Sequence, residues 1–206
     1  MDANAWDERY AATEMVWSKT PNQFVAELVG PLTPGRVLDV AAGEGRNAIW
    51  LAEQGWTVVA TDYSRVAIER LRQIADERLG DRASGLTAHV ADATQPAPGG
   101  EAAYDLVLFS YLQLPDDDWL AALRSGIAAT APGGRIVIIV HAQRNLTEGY
   151  GGPSDPAVLH DPDDIIEGVA GLPVEVESAE LRTRLVATED GERAALDTVA
   201  VLRRIS

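Results

Sequence analysis

The sequence predicts a doubly wound α/β fold, and three observations lead to that expectation. Val37, Leu38 and Val40 form a short apolar run that ends in the tight turn Gly43-Glu44-Gly45. Ala48, Ile49, Leu51 and Ala52 then recur at helical spacing up to Gly55, and a second apolar run from Trp56 to Ala60 stops at Asp62. Strand, glycine turn, helix, strand and acid in that order make one βαβ unit. Further apolar runs at 86–90, 104–109 and 135–140 alternate with helical stripes, which is the pattern of a parallel sheet. At the C-terminal end, 174–186 and 195–202 are apolar segments joined by the polar turn 188–192, and they read as a hairpin of two long strands.

Taken in order, residues 2–20 place Trp6, Tyr10, Met15 and Trp17 among Asp7, Glu8, Arg9 and Glu14. Trp6 and Tyr10 are four apart and share a helical face if this arm is helical. The arm either caps the sheet edge or folds over the glycine turn and closes a ligand site. Pro21 starts a helix through Phe24, Val25, Leu28 and Val29 that stops before Pro31, and Pro34-Gly35 turns the chain into the first strand. After Asp62, Ser64 is the N-cap of a helix whose stripe is Val66, Ala67, Leu71, Ile74 and Ala75, running to about Leu79. Residues 96–100 are a loop. Asp116 or Asp117 begins a helix carrying Trp119, Leu120, Leu123 and Ile127, and Pro132-Gly133-Gly134 breaks it and opens the fifth strand. Residues 142–160 show no periodicity and include Gly149, Tyr150, Gly151, Gly152 and Pro153; a connection of that length is a lid or a binding loop. Asp161-Pro162 or Asp163 starts a last helix over 163–170.

The chemistry gathers at strand ends. Gly43 and Gly45 adopt backbone angles closed to other residues and keep side chains off the turn, and the helix beginning near Arg46 points free N–H groups at the same space. Asp62 is placed to accept two hydrogen bonds from a ribose diol, so the unit suits a nucleoside. Asp39, inside the end of the first strand, would repel a pyrophosphate but suits a cationic or amino-bearing ligand. Asp92 follows the third strand, where it either accepts from an adenine amino group or caps a turn, and Ala93 offers a backbone N–H. Tyr111 follows the fourth strand as a packing residue or a substrate contact. His141 ends the fifth as a general base or as a residue that fixes the following loop.

Asp39, Gly43, Gly45 and Asp62 together resemble motif I and the second-strand acid of the class I S-adenosylmethionine-dependent methyltransferases, whose motif reads Asp/Glu-x-Gly-x-Gly-x-Gly. Here Ala41 stands at the first glycine position, which narrows the space beside a ligand. The resemblance spans about 30–203, continuing in register through Asp92, the segment 104–115 and the segment 132–140. It implies a Rossmann-like, seven-stranded, mostly parallel sheet of order 3-2-1-4-5-7-6 with helices on both faces. It also implies one methyltransferase domain over 1–206: an aromatic arm at 1–20, a cofactor-binding core at 30–140, a substrate loop at 141–160, and a helix and antiparallel hairpin at 161–206. The cofactor it implies is S-adenosyl-L-methionine, held by Asp39, Ala41, Gly43, Gly45, Asp62, Tyr63, Asp92, Ala93 and Phe109. His141 and Tyr111 become the catalytic candidates, and Trp6, Tyr10, Trp17 and Tyr150 the substrate or lid residues. The short chain, aromatic arm and Gly-Gly-Pro loop look like the small tellurite-resistance and thiopurine-type methyltransferases. The activity implied is methyl transfer to a nucleophilic S, O, N or chalcogen atom of a small molecule. Two other readings stand beside it: a cofactor-binding regulator without turnover, and an NAD-binding oxidoreductase.

Composition sets the bounds. The 206 residues carry 17 Lys and Arg against 32 Asp and Glu, a net charge of −15, with no basic cluster. That balance disfavours nucleic-acid and anionic-membrane partners. There is no cysteine, and three histidines without a metal-binding spacing predict no metal site. No Gly-Lys-Ser/Thr loop or Gly-x-Ser-x-Gly elbow is present, which removes nucleotide hydrolysis and that class of hydrolase. The start MDANAWDERY has neither the basic residues nor the apolar run of a signal peptide, so the expected location is the cytoplasm. The expected partner is a small molecule, and the expected state is a monomer or homodimer.

Overall fold

The computed structural model describes residues 3–12 and 20–206. Strands β1 (Arg36–Val40), β2 (Thr57–Asp62), β3 (Leu86–Val90), β4 (Tyr104–Ser110), β5 (Thr130–His141), β6 (Val174–Thr188) and β7 (Gly191–Arg204) form one sheet of order β3-β2-β1-β4-β5-β7-β6. The first five run parallel to their neighbours, and β7 inserts antiparallel between β5 and β6. This is the order expected from the methyltransferase resemblance. Among the described residues no helix is long and apolar enough to cross a membrane.

Side-chain alternation makes the two-faced core. On one face Leu106 and Leu108 of β4, Val137 and Ile139 of β5, and Val199 and Val201 of β7 pack with helices α2 (Gln23–Val29), α3 (Arg46–Glu53) and α4 (Arg65–Leu79). On the other, Val107 and Phe109, Ile136 and Ile138, and Ala200 and Leu202 pack with α5 (Asp116–Ala129) and α7 (Pro162–Gly168). Neighbours in sequence point to opposite faces, so a strand buried on both sides is apolar throughout.

The local signals mostly act as read. Ser64 caps α4, its Oγ accepting from Ala67 N at 3.1 Å. Asn22, after Pro21, caps α2 by accepting from Phe24 N at 2.8 Å. Asp161 and Asp164 form a capping box at α7. The arm forms α1 (Ala3–Ala11), with the Trp6 and Tyr10 rings 5.8 Å apart on one face. Met15 and Trp17 lie outside the described residues. The loop after β5 contains two short pieces, α6 (Asn145–Glu148) and a 3₁₀ turn (Pro156–Val158).

One boundary differs from expectation. Pro132-Gly133-Gly134 does not precede the fifth strand but lies within it. β5 starts at Thr130 opposite Tyr104, and the pairing jumps to Leu106 opposite Arg135. Proline cannot donate to a ladder, and Gly133 at φ +81° absorbs the extra residues as a bulge.

The strand order reverses between β1 and β4, and the loops leaving these strands diverge there. Ligands of open α/β sheets bind outside the strand ends at such a point. The turn after β1 depends on Gly45. Its φ is +85°, and a Cβ there would stand 2.4 Å from Cγ of the buried Leu71 on α4. Glu44 is tied to the same helix through Arg70 at 2.9 Å.

Gly45→Ala is therefore expected to lower stability by roughly 2–4 kcal/mol, adding a core clash to backbone strain. Gly133→Ala, at a similar φ but with no atom within 4 Å of the new Cβ, is expected to cost about 1 kcal/mol. Urea unfolding of both variants checks this; equal losses would mean that Leu71 yields freely.

Candidate active site

A cavity opens at the C-terminal ends of β1, β2, β3 and β4. Its walls are the turn after β1 (Ala41, Ala42, Gly43), the start of α3 (Arg46, Asn47), and the ends of β2 (Asp62, Tyr63) and β3 (Asp92, Ala93). The 110–114 segment after β4 and Trp6 and Tyr10 of α1 complete it. Trp6 and Tyr10 thus border the same cavity as the glycine turn.

Asp62 organises the turn. Its Oδ2 accepts from Gly43 N and its Oδ1 from Ser64 N, each at 2.8 Å. Burial raises its pKa, and the backbone donors Ser64 and Gly43 oppose the rise. Each carboxylate oxygen keeps a second lone pair, so capacity remains for two ligand hydroxyls. Asp7 on α1 accepts a short hydrogen bond from Ser64 Oγ and a longer one from Val66 N at 3.3 Å, which fastens the arm to the start of α4.

Asp39 is fully buried, and among the described residues the Ala48 N–H is the one donor near its carboxylate, too poorly placed for a full hydrogen bond. Burial pushes its carboxyl up to about 7, against the Arg46 charge and the Ala48 N–H, which lower it. It does not line the cavity, but it lies within electrostatic reach of Arg46 and Asp62, which do. A buried, poorly satisfied carboxylate beside this wall fits a cationic or amino-bearing group better than a phosphate.

Other expected residues are distributed unevenly. Asp92 lines the cavity and also closes its own turn, its Oδ1 accepting from Thr94 N at 2.9 Å and Thr94 Oγ1 at 2.8 Å. Ala41 lines it at φ +57°, a left-handed angle that favours glycine. Gly45 does not face the cavity; its missing side chain makes room for Leu71 instead. Phe109 is absent from the wall as well. It is fully buried on the α5 face, edge-on to Trp119 at 5.8 Å and against Gly126. Tyr150 also lies elsewhere, with the Arg193 guanidinium 5.1 Å from its ring.

Tyr111 lines the cavity at φ +62°. Its hydroxyl is engaged: it donates to Asp197 Oδ2 at 2.7 Å and accepts from Asn22 Nδ2 at 3.1 Å. Burial and the Asp197 charge raise its pKa. His141 is not on the wall. Its ring lies 4.6 Å from that of Tyr111, and its Nδ1 stands 3.2 Å from Asp197 Oδ1. Asp197, fully buried on β7, also receives Arg184 Nε at 2.7 Å. Burial pushes its carboxyl up, but the His141, Arg184 and Tyr111 donors outweigh that and hold it below the usual range. Arg46, Asn22, Arg184 and Asp197 were not singled out from sequence. Only Arg46 had a local signal, its place directly after the glycine turn. Among the described residues no group of three metal-ligating side chains could hold a metal ion.

Residues 37–134 match a family model described as a methyltransferase domain. An uncharacterised protein of Mycobacterium tuberculosis is 31% identical over 147 residues, covering 65% of this chain and 52% of that protein. The chain thus spans about half the length of that relative. A structure solved for the conversion of a disulfide bond into a thioacetal group during echinomycin biosynthesis superposes with a TM-score of 0.78 at 24% identity, covering 98% of this chain and 91% of that one. TehB of Haemophilus influenzae superposes at 0.69 with 16% identity, covering 99% of this chain and 67% of that one. At these identities the two structures establish the fold.

Asp39 has a testable consequence in the ligand-free protein. Its folded pKa of about 7 lies above the ordinary value of 3.8. The unfolded chain therefore loses this proton first as pH rises. The group's contribution to stability falls between about pH 4 and pH 7 and is flat above, by an amount on the order of 4 kcal/mol. Asp39→Asn removes this component, so the unfolding free energy of wild type should decline relative to the variant over that interval. Parallel pH profiles from urea titrations would show that Asp39 ionises normally.

Proposed function

We infer that the chain is an S-adenosylmethionine-dependent methyltransferase, a reading supported by the methyltransferase-domain match over residues 37–134, and that it methylates a small molecule whose attacking atom reaches the site already deprotonated or otherwise nucleophilic, a thiolate or another soft heteroatom. The observation that carries this reading is that, among the described residues, neither candidate base, Tyr111 or His141, is available to an acceptor. The Tyr111 hydroxyl is committed to Asp197, and His141 stands behind the Tyr111 ring, outside the cavity wall.

In this reading Asp62 holds the ribose hydroxyls, and Asp92 and the Ala93 backbone serve the adenine. Ala41 and Gly43 border the methionine portion, with Asp39 counterbalancing its amino end. The bound cofactor supplies a sulfonium methyl group whose transfer leaves a neutral thioether, so no acid is needed for the leaving group. The chain's own task is to aim the acceptor, hold it at near-attack distance and exclude water. Trp6 and Tyr10 close the cavity from the arm, and Tyr111 and Leu112 form its floor toward β5. Arg46, the one cationic side chain among the described wall residues, favours an anionic group in a protein otherwise rich in acids. His141 serves in this account as a fixing residue for Tyr111 and the loop after β5. The structural neighbour from echinomycin biosynthesis is tied to disulfide-to-thioacetal conversion, which makes sulfur acceptors the first to try. Cofactor binding without turnover is favoured only by the strained Ala41.

Release of S-adenosylhomocysteine is to be followed with thiols, phenols, amines, selenite and tellurite across pH. Turnover is expected with thiols, rising with pH until each thiol's own pKa is passed. Faster reaction with protonated amines or high-pKa phenols at low pH would require a base on the protein and contradict this reading. Cofactor binding with no turnover of any acceptor would favour the regulatory alternative.

A further inference from the structure

The Tyr111 side chain is enclosed more completely than a wall residue requires. Its φ of +62° is one that side-chain-bearing residues rarely adopt, and its N–H is fixed to Ile139 O at 2.7 Å. The His141 ring from β5 lies 4.6 Å from it. The guanidinium groups of Arg46 from α3 and Arg184 from β6 stand 5.7 and 5.5 Å from the ring centroid. One buried carboxylate, Asp197, ties this cage together. It receives the Tyr111 phenol and Arg184 Nε, His141 Nδ1 stands 3.2 Å from it, and it sits directly across from His141 in the β5–β7 register. Asn22 adds a link to the other face: it donates to the phenol, its N–H donates to Asn47 on α3 at 2.9 Å, and it caps α2.

We propose that Asp197 is a positioning residue for the methyl acceptor: by accepting the Tyr111 hydroxyl it locks the phenol as a donor, so that Tyr111 presents the cavity with a fixed ring face and not with a base. The proposal rests on the methyl-transfer reading above, but the lock itself does not. Asp197 has no place on the cavity wall and acts through Tyr111. Burial does most to keep the phenol neutral, and the Asp197 carboxylate adds to it by charge and hydrogen bond, while the two guanidinium groups around the ring favour a phenolate; Asp39, which interacts with Arg46, lies one step further away. Removing the Asp197 charge therefore frees the ring to move and leaves the phenol facing two cations. A loss of positioning and a gain of acidity are expected together, and a purely structural role would not produce that combination.

The test labels tyrosine Cζ with ¹³C and assigns the Tyr111 resonance by its loss in Tyr111→Phe. In wild type the signal should remain that of a neutral phenol beyond pH ~10, the ordinary tyrosine value. In Asp197→Asn its titration should move to lower pH. S-adenosylhomocysteine affinity by calorimetry should be unchanged in Asp197→Asn, while kcat/KM with a thiol that wild type methylates should fall by about tenfold or more. That fall should vanish in the Tyr111→Phe background, as expected for a residue acting through another. Ordinary titration of Tyr111 in wild type overturns the lock, and this result needs no variant to fold. Additive effects of the two substitutions on turnover, or equal loss of S-adenosylhomocysteine binding, overturn the positioning role. If wild type turns over no acceptor while the Tyr111 titration still moves down in Asp197→Asn, the methyl-transfer reading fails and the lock stands.

Discussion

Asp62 joins the two parts of the cavity through a pair of backbone hydrogen bonds. Its carboxylate accepts from Gly43 in the turn after β1 and from Ser64 at the start of α4. Those bonds fix the turn's shape without a ligand, so the cavity is formed in advance. Bonds to a charged acceptor contribute about 1.5–3 kcal/mol each, enough to offset much of the carboxylate's burial. The turn can approach Asp62 only because Gly43 and Ala41 take left-handed angles and Gly45 lets α3 and α4 pack at Leu71. The arm depends on the same point, since Asp7 engages Ser64 and Val66 next to it.

At the other end of the cavity the electrostatics are reversed. The chain as a whole is strongly acidic, yet Arg46 and Arg184 flank the Tyr111 ring, and Asp197 balances them from behind. In the proposed reading the end at Asp62 offers acceptors to hydroxyl and amino groups of the cofactor, and the end at Tyr111 offers an aromatic face between two cations to the methyl acceptor. The two ends suit different chemical tasks, holding a cofactor and presenting an electron-rich nucleophile to it.

The sequence made the first end legible and hid most of the second. Asp39, Gly43 and Asp62 fall within one βαβ unit, where strand ends and turn residues follow local rules, and the alternation of 174–186 and 195–202 announced the closing hairpin. The Tyr111 cage joins residues 86 and 89 positions apart through Asp197 and Asn22, and no local periodicity records such a meeting. Phe109 shows the same limit on a smaller scale: strand alternation puts it with Trp119 on the α5 face, while the left-handed turn at Tyr111 brings a residue two positions later to the cavity. Pro132-Gly133-Gly134 reads as a helix-to-strand break because a bulge inside a strand uses the same residue types as a turn.

Isothermal titration of S-adenosylmethionine and of NAD into wild type, Asp62→Ala and the exposed control Asp117→Ala tests the central claim most directly. The account predicts binding of S-adenosylmethionine and not NAD. It further predicts a loss of about tenfold or more in Asp62→Ala, the equivalent of a charged hydrogen bond, and little change in Asp117→Ala. Tight NAD binding without S-adenosylmethionine binding, or an Asp62→Ala variant that folds and binds like wild type, would contradict it.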